Sequence, residues 1–162
     1  MPIRACTSAD FEAISSVVND AALAYRGIIA PDCWQEPYMP REELQRELAD
    51  GVRFWGFFEG DELLGVMGLQ DAGDVALIRH AYTRSAAQGK GIGTALIEHL
   101  QEQTDRPLLV GTWKAATWAI RFYERHGFRV VDAGRTAELL RRYWSVSPRQ
   151  IEESVVLEAI CP

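Results

Sequence analysis

The residues best equipped for chemistry are Gln88, Gly89, Lys90, Gly91, Ile92, Gly93 and Thr94. They stand between a strand-like run, Val75 to Tyr82, and a helix-like run in which Ile92, Leu96 and Leu100 recur every fourth residue. Glycines at alternate positions let a ligand reach the backbone and tolerate positive φ. The first turn of the following helix has N–H groups without internal partners. Those donors and the positive end of the helix dipole together suit a phosphate. The pattern is not a P-loop, because Gly89-Lys90 is followed by Gly91 instead of Ser or Thr. Nor is it the dinucleotide fingerprint, which needs Gly or Ala where Thr94 stands. It reads Gln88-x-x-Gly91-x-Gly93, and its competing reading is a Gly-rich turn without a ligand. His80, in the preceding strand, is the kind of side chain that transfers protons near neutrality, although a lone strand histidine is more often structural.

The elements that must position these groups follow from periodicity. Ile3 to Cys6 reads as a short edge strand, and Thr7 and Asp10 have capping-box spacing. Phe11, Ile14, Val18, Ala21 and Tyr25 mark one helix face, ended by Gly27 and Pro31. Residues 26–40 crowd Arg26, Asp32, Trp34, Glu36 and Tyr38 among three prolines, as in the wall or lid of a pocket or a loop whose aromatics cap the core. Pro40 starts a second helix, with acids in its first turn and Leu44 and Leu48 inward. Phe54 to Phe58 and Leu63 to Leu69 read as strands joined by a Glu59–Glu62 hairpin, and Asp71–Asp74 turns into the strand at Val75. After the helix from Gly91 to about Gln103, Pro107 to Trp113 is a strand, so the strand–helix–strand order predicts parallel pairing by a right-handed crossover. A third helix runs from Ala115 to about Arg125 and stops at Gly127. Phe128 to Val131 is the next strand. Residues 132–151 read poorly, with a helical turn over Thr136 to Tyr143 on a long loop. Ser154 to Ala159 has strand composition and is expected to pair with the strand before it. The expected architecture is a mixed α/β sheet with helices on both faces.

Composition bounds the function. A chain of 162 residues, 48% hydrophobic, is one domain, 1–162, able to bury its own core. A net charge of −6 argues against a nucleic-acid partner, which wants a basic face, and is compatible with a cationic amine. Cys6, Cys33 and Cys161 are odd in number and far apart. They suggest neither a disulfide framework nor a metal cluster, but reduced thiols in a cytoplasm. The N-terminus carries no long apolar run, and no segment has the apolar length of a membrane helix.

Gln88-x-x-Gly91-x-Gly93 resembles the coenzyme-A-binding segment of the GNAT N-acetyltransferase superfamily, Gln/Arg-x-x-Gly-x-Gly/Ala. Ala119-Ile120-Arg121-Phe122-Tyr123-Glu124-Arg125-His126-Gly127-Phe128 resembles its other signature, Ala-x-x-Phe-Tyr-x-x-x-Gly-Phe. The two stand in the family's order and spacing. The resemblance implies a single-domain, mostly antiparallel sheet of six to seven strands. It also implies direct transfer of the acetyl group of acetyl-CoA to a primary amine of a small molecule or peptide, without a metal. Gln88, Gly89, Gly91 and Gly93 would hold the diphosphate, beside the amides of Ile92 and Thr94 and the charge of Lys90. Ala81, Tyr82 and Thr83 would lend a strand edge to the pantetheine arm. Tyr123 would protonate the departing thiolate, a core tyrosine being its competing reading. One departure stands out: where many members have Asn, this chain has Ala116, which removes one contact to the cofactor arm.

Amine chemistry adds requirements of its own. A lysine-like amine, of pKa about 10.4, is mostly protonated at pH 7 and attacks only when neutral. The site therefore needs a base or water path, donors for the oxyanion, and an acid for sulfur. His80 is the first candidate base, with Glu36 and His126 behind it. Arg26, Trp34 and Tyr38 are candidate acceptor-binding residues, Arg26 for a substrate carboxylate. The alternatives are a noncatalytic acyl-CoA-binding or regulatory module and a binder of ATP or NAD phosphates. The acceptor and the oligomeric state are left open, with a homodimer among the assemblies to test.

Overall fold

Seven strands form one open sheet in the order β1-β2-β3-β4-β5-β7-β6 in the structure, a computed structural model that describes residues 2–160. The strands are β1 (Ile3–Ala5), β2 (Arg53–Glu59), β3 (Glu62–Ala72), β4 (Val75–Thr83), β5 (Leu108–Trp113), β6 (Phe128–Val130) and β7 (Ser154–Ala159). Every pairing is antiparallel except β4 with β5. The helices are α1 (Phe11–Ala21), α2 (Arg41–Ala49), α3 (Ile92–Gln101), α4 (Thr117–Arg125), α5 (Ala133–Tyr143) and α6 (Pro148–Glu152). The architecture is the expected mixed α/β, mostly antiparallel sheet.

Side-chain alternation sorts the helices onto two faces. On β4, Ala76 and Ile78 point into a core shared with Ile92, Leu96, Ile97 and Leu100 of α3. Val75 and Leu77 point the other way, toward Leu139 and Leu140 of α5. Ile14, Val17 and Val18 of α1 and Leu44 of α2 cover Phe54 and Val66. The α3 face brings the glycine turn onto the sheet, and one glycine there is sterically required. A Cβ on Gly65 of β3 would lie 2.6 Å from Ile92 Cγ2, at the first residue of α3. That methyl is fixed at a β-branched carbon, so the helix start must move. We expect Gly65→Ala to destabilise the protein by about 1–2 kcal/mol, the range for overpacked cores, in denaturant unfolding. Unchanged stability would mean the strand–helix contact is loose.

Three expectations are corrected. The first helix ends at Ala21 and continues only as a 3₁₀ turn to Tyr25. Residues 133–143, expected as a turn on a long loop, are an eleven-residue helix. Its N-cap Asp132 accepts from Arg135 N at 2.8 Å, but only Thr136, Leu139 and Leu140 are buried, a stripe too narrow to stand out among arginines. Finally, β7 pairs with β6 as expected but also with β5, so it is inserted between them. Cys161 lies outside the described residues; Cys6 and Cys33 are free thiols. No helix among the described residues is long and apolar enough to cross a membrane.

Candidate functional site

The site begins where β4 and β5 part. Their parallel pairing covers only Ala76–Ile78 and Leu108–Val110. Beyond it, β4 continues to Thr83 beside β3, and β5 to Trp113 beside β7. A gap between neighbouring strands at their carboxyl ends is a favoured place for a ligand. A β-bulge sharpens the divergence. Gly68 pairs with Arg79 and Val66 with Tyr82, so Met67 faces both His80 and Ala81. His80 has a φ of 54°, the one positive value among the described non-glycine residues. Such backbone strain persists only where its surroundings enforce it.

Two cavities flank the gap. The first, about 410 Å³, is lined by Ala81, Tyr82, Thr83, Gln88, Gly89, Gly91, Ile92, Gly93, Thr94 and Tyr123, together with Trp118 and Arg125. The second, about 240 Å³, is lined by Tyr38, Glu43, Glu47, His80, Trp113 and Trp144 among others. Tyr25 and Tyr82 line both. The two rings, 6.2 Å apart edge to face, form the wall between the cavities.

The glycine turn fits a phosphate. Gly91 is the N-cap of α3, with φ 77° and no side-chain cap on the helix. A Cβ there would meet nothing within 4 Å, so the space over the first-turn amides is open to a ligand. The chain entering the turn is pinned: Arg84 Nε donates to Leu63 O at 2.8 Å, and Ser85 N to the Asp20 carboxylate at 2.8 Å. His126 joins α4 to α3, its ring nitrogens lying 2.7 Å from Phe122 O and 3.1 Å from Thr94 Oγ1. Lys90 is exposed and does not line the cavity. Arg125 does, and makes none of the described ion pairs. It was missed in the sequence, although it lies inside the second signature, one helical turn from Phe122.

Tyr123 is 5% exposed, and burial keeps its phenol well above the ordinary tyrosine range. No described hydrogen bond holds the hydroxyl, and the side chain lines the first cavity. His80 lies across the partition, in the second cavity. Its Nε2 is 2.6 Å from Glu47 Oε1, which also receives Arg79 at 2.7 Å. A carboxylate partner places the proton on Nε2 and leaves the lone pair on Nδ1. Tyr38 also lines the second cavity, accepting from Trp113 Nε1 at 2.7 Å, and Trp34 stacks on it from behind. Arg26 lines neither cavity; it is exposed and paired with Glu36 at 3.0 Å. Ala116, fully buried against Ala22, Tyr25 and Ile29, brings no polar group to the gap.

Glu47 is 9% exposed. Burial pushes its carboxyl up, but the His80 hydrogen bond and the His80 and Arg79 charges outweigh burial and set it below the usual range. A lowered folded pKa adds stability above the unfolded value and loses it as pH falls through the folded value. We therefore expect Glu47→Gln to cost about 2–3 kcal/mol at pH 7, somewhat less than breaking a fully buried pair. The gap from wild type should close toward pH 3 in denaturant unfolding. A gap independent of pH would show that packing, not charge, is responsible.

The chain matches the family described as "Acetyltransferase (GNAT) domain" over residues 14–141. It therefore belongs to the GNAT acetyltransferase family. Similar folds include PaiA N-acetyltransferase from Thermoplasma acidophilum in complex with coenzyme A (TM-score 0.72, 20% identity, 98% of each chain covered). A GNAT-family acetyltransferase from Staphylococcus aureus Mu50 follows (TM-score 0.71, 18% identity, 97% of this chain and 96% of that one). The ribosomal-protein-S18-alanine N-acetyltransferase of Escherichia coli is also similar (TM-score 0.65, 13% identity, 99% and 95%). No curated protein matches the chain in sequence.

Proposed function

We propose that the protein transfers the acetyl group of acetyl-CoA to an amine that enters from the second cavity. The observation carrying this reading is the pair of cavities meeting at the Tyr25–Tyr82 wall, the glycine turn on one side and His80 on the other. Family membership and the coenzyme A in the Thermoplasma relative support it. Bound acetyl-CoA would supply a thioester carbonyl open to attack. Gln88, the amides of Gly91 to Thr94 and the Arg125 guanidinium would hold its phosphates. The free edge of Ala81 to Thr83 would align its arm.

The chain's own groups then divide the proton work. His80, fixed by Glu47, takes a proton from the incoming ammonium at Nδ1 and leaves a neutral nucleophile. Tyr123 faces the first cavity as a neutral phenol, because its raised pKa keeps the proton on oxygen. That hydroxyl is a donor for the charge that develops on sulfur. Base and acid thus lie on opposite sides of the gap, as direct transfer between two bound partners requires.

The test is thiol release from acetyl-CoA over a panel of amines, with calorimetry using CoA, ATP and NAD. The proposal expects CoA to bind, ATP and NAD not to displace it, and thiol release to depend on the amine. CoA binding without release from any amine would favour a noncatalytic acyl-CoA module. Displacement by ATP or NAD would overturn the CoA assignment.

A further inference from the structure

Helix α2 presents Glu43 and Glu47 on one side, a helical turn apart, and both line the second cavity. Their situations differ. Glu47 is held by Arg79 and His80. Glu43 is half-buried and makes none of the described ion pairs or side-chain hydrogen bonds. Burial, then the neighbouring Glu47 charge, pushes its carboxyl up, and the charges of His80, Arg46 and Arg79 offset this only in part. Aromatic rings share the cavity: Tyr25, Tyr38, Trp113 and Trp144. Ring faces attract an ammonium group, and a carboxylate among them supplies charged acceptors.

The charge balance points the same way. Glu47 is matched by Arg79 and by its contact with His80, whereas Glu43 has no partner among the described ion pairs. One negative charge is left over. The cations that would favour an acidic ligand are engaged elsewhere: Arg26 lies outside with Glu36, and Arg79 is shared by Glu47 and Gln70.

Taking the second cavity as the acceptor site, we infer that the acceptor is a dication: besides the amine that is acetylated, it carries a second ammonium group received by the Glu43 carboxylate among these rings.

Three five-carbon probes that differ only at the far end test this: 1,5-diaminopentane, pentylamine and 5-aminopentanoate. Their binding is read by calorimetry on CoA-saturated protein, where no transfer occurs, and their kcat/KM by thiol release. The diamine should bind about tenfold tighter than pentylamine, as one hydrogen bond to a charged group provides, with 5-aminopentanoate weakest. In Glu43→Gln the ratio of diamine to pentylamine affinity should fall to about one. Equal binding of diamine and pentylamine, strongest binding of 5-aminopentanoate, no binding of the diamine, or a preference surviving in Glu43→Gln would overturn the inference. A Glu43-dependent diamine preference in binding without any thiol release would uphold the ammonium site at Glu43 and overturn the transferase reading instead.

Discussion

Gly91→Val should abolish useful cofactor binding in a protein that still folds. At φ 77° an L-residue pays about 1–2 kcal/mol of backbone strain, which lowers stability without unfolding a domain of this size. The larger effect is local. The open space above Gly91 would hold the new Cβ and its methyls, over the amides of Ile92 and Gly93. Losing two hydrogen bonds to a charged phosphate, each worth about 1.5 kcal/mol or more, weakens binding at least a hundredfold. Calorimetry with CoA measures the loss, and circular dichroism checks the fold. Wild-type affinity in a folded variant would mean that the diphosphate lies elsewhere.

Tyr123→Phe should lower turnover about a hundredfold, the lower end of the contribution of a positioned acid, with CoA affinity close to wild type. The split follows from placement. The side chain lines the cavity and its hydroxyl has no described hydrogen-bond partner, so removing it leaves no stranded donor. The ring, which packs edge to face on Phe122 and Phe128, is kept. A structural role would lower stability and binding and spare the rate per bound substrate. Unchanged kcat would remove Tyr123 from the chemistry.

The glycine turn was legible because its chemistry is local. Strand, bare turn and uncapped helix start are consecutive, and left-handed φ values at Gly89 and Gly91 leave their mark on residue identity. Most strands were legible from alternation, though not the insertion of β7 between β5 and β6, which no local pattern specifies. The second cavity was far less legible. It draws Tyr38 from a loop, Glu43 and Glu47 from α2, His80 from a bulge, Trp113 from β5 and Trp144 from beyond α5, and no spacing along the chain links them. Glu47 carried no signal of its own in the sequence, and it anchors His80. Arg26 read as a carboxylate receptor because of its aromatic neighbours. The structure gives it to Glu36 at the surface, while Asp32 of the same loop is held by Arg149 at 2.8 Å.

The central claim is that the gap between β4 and β5 holds acyl-CoA, diphosphate on the α3 amides and arm along β4. Amide chemical shifts during a CoA titration test it most directly. The largest changes are expected at residues 88–94 and 81–83, with smaller ones along β1 and β6. Saturating shifts centred elsewhere, with the 88–94 amides unmoved, would contradict it.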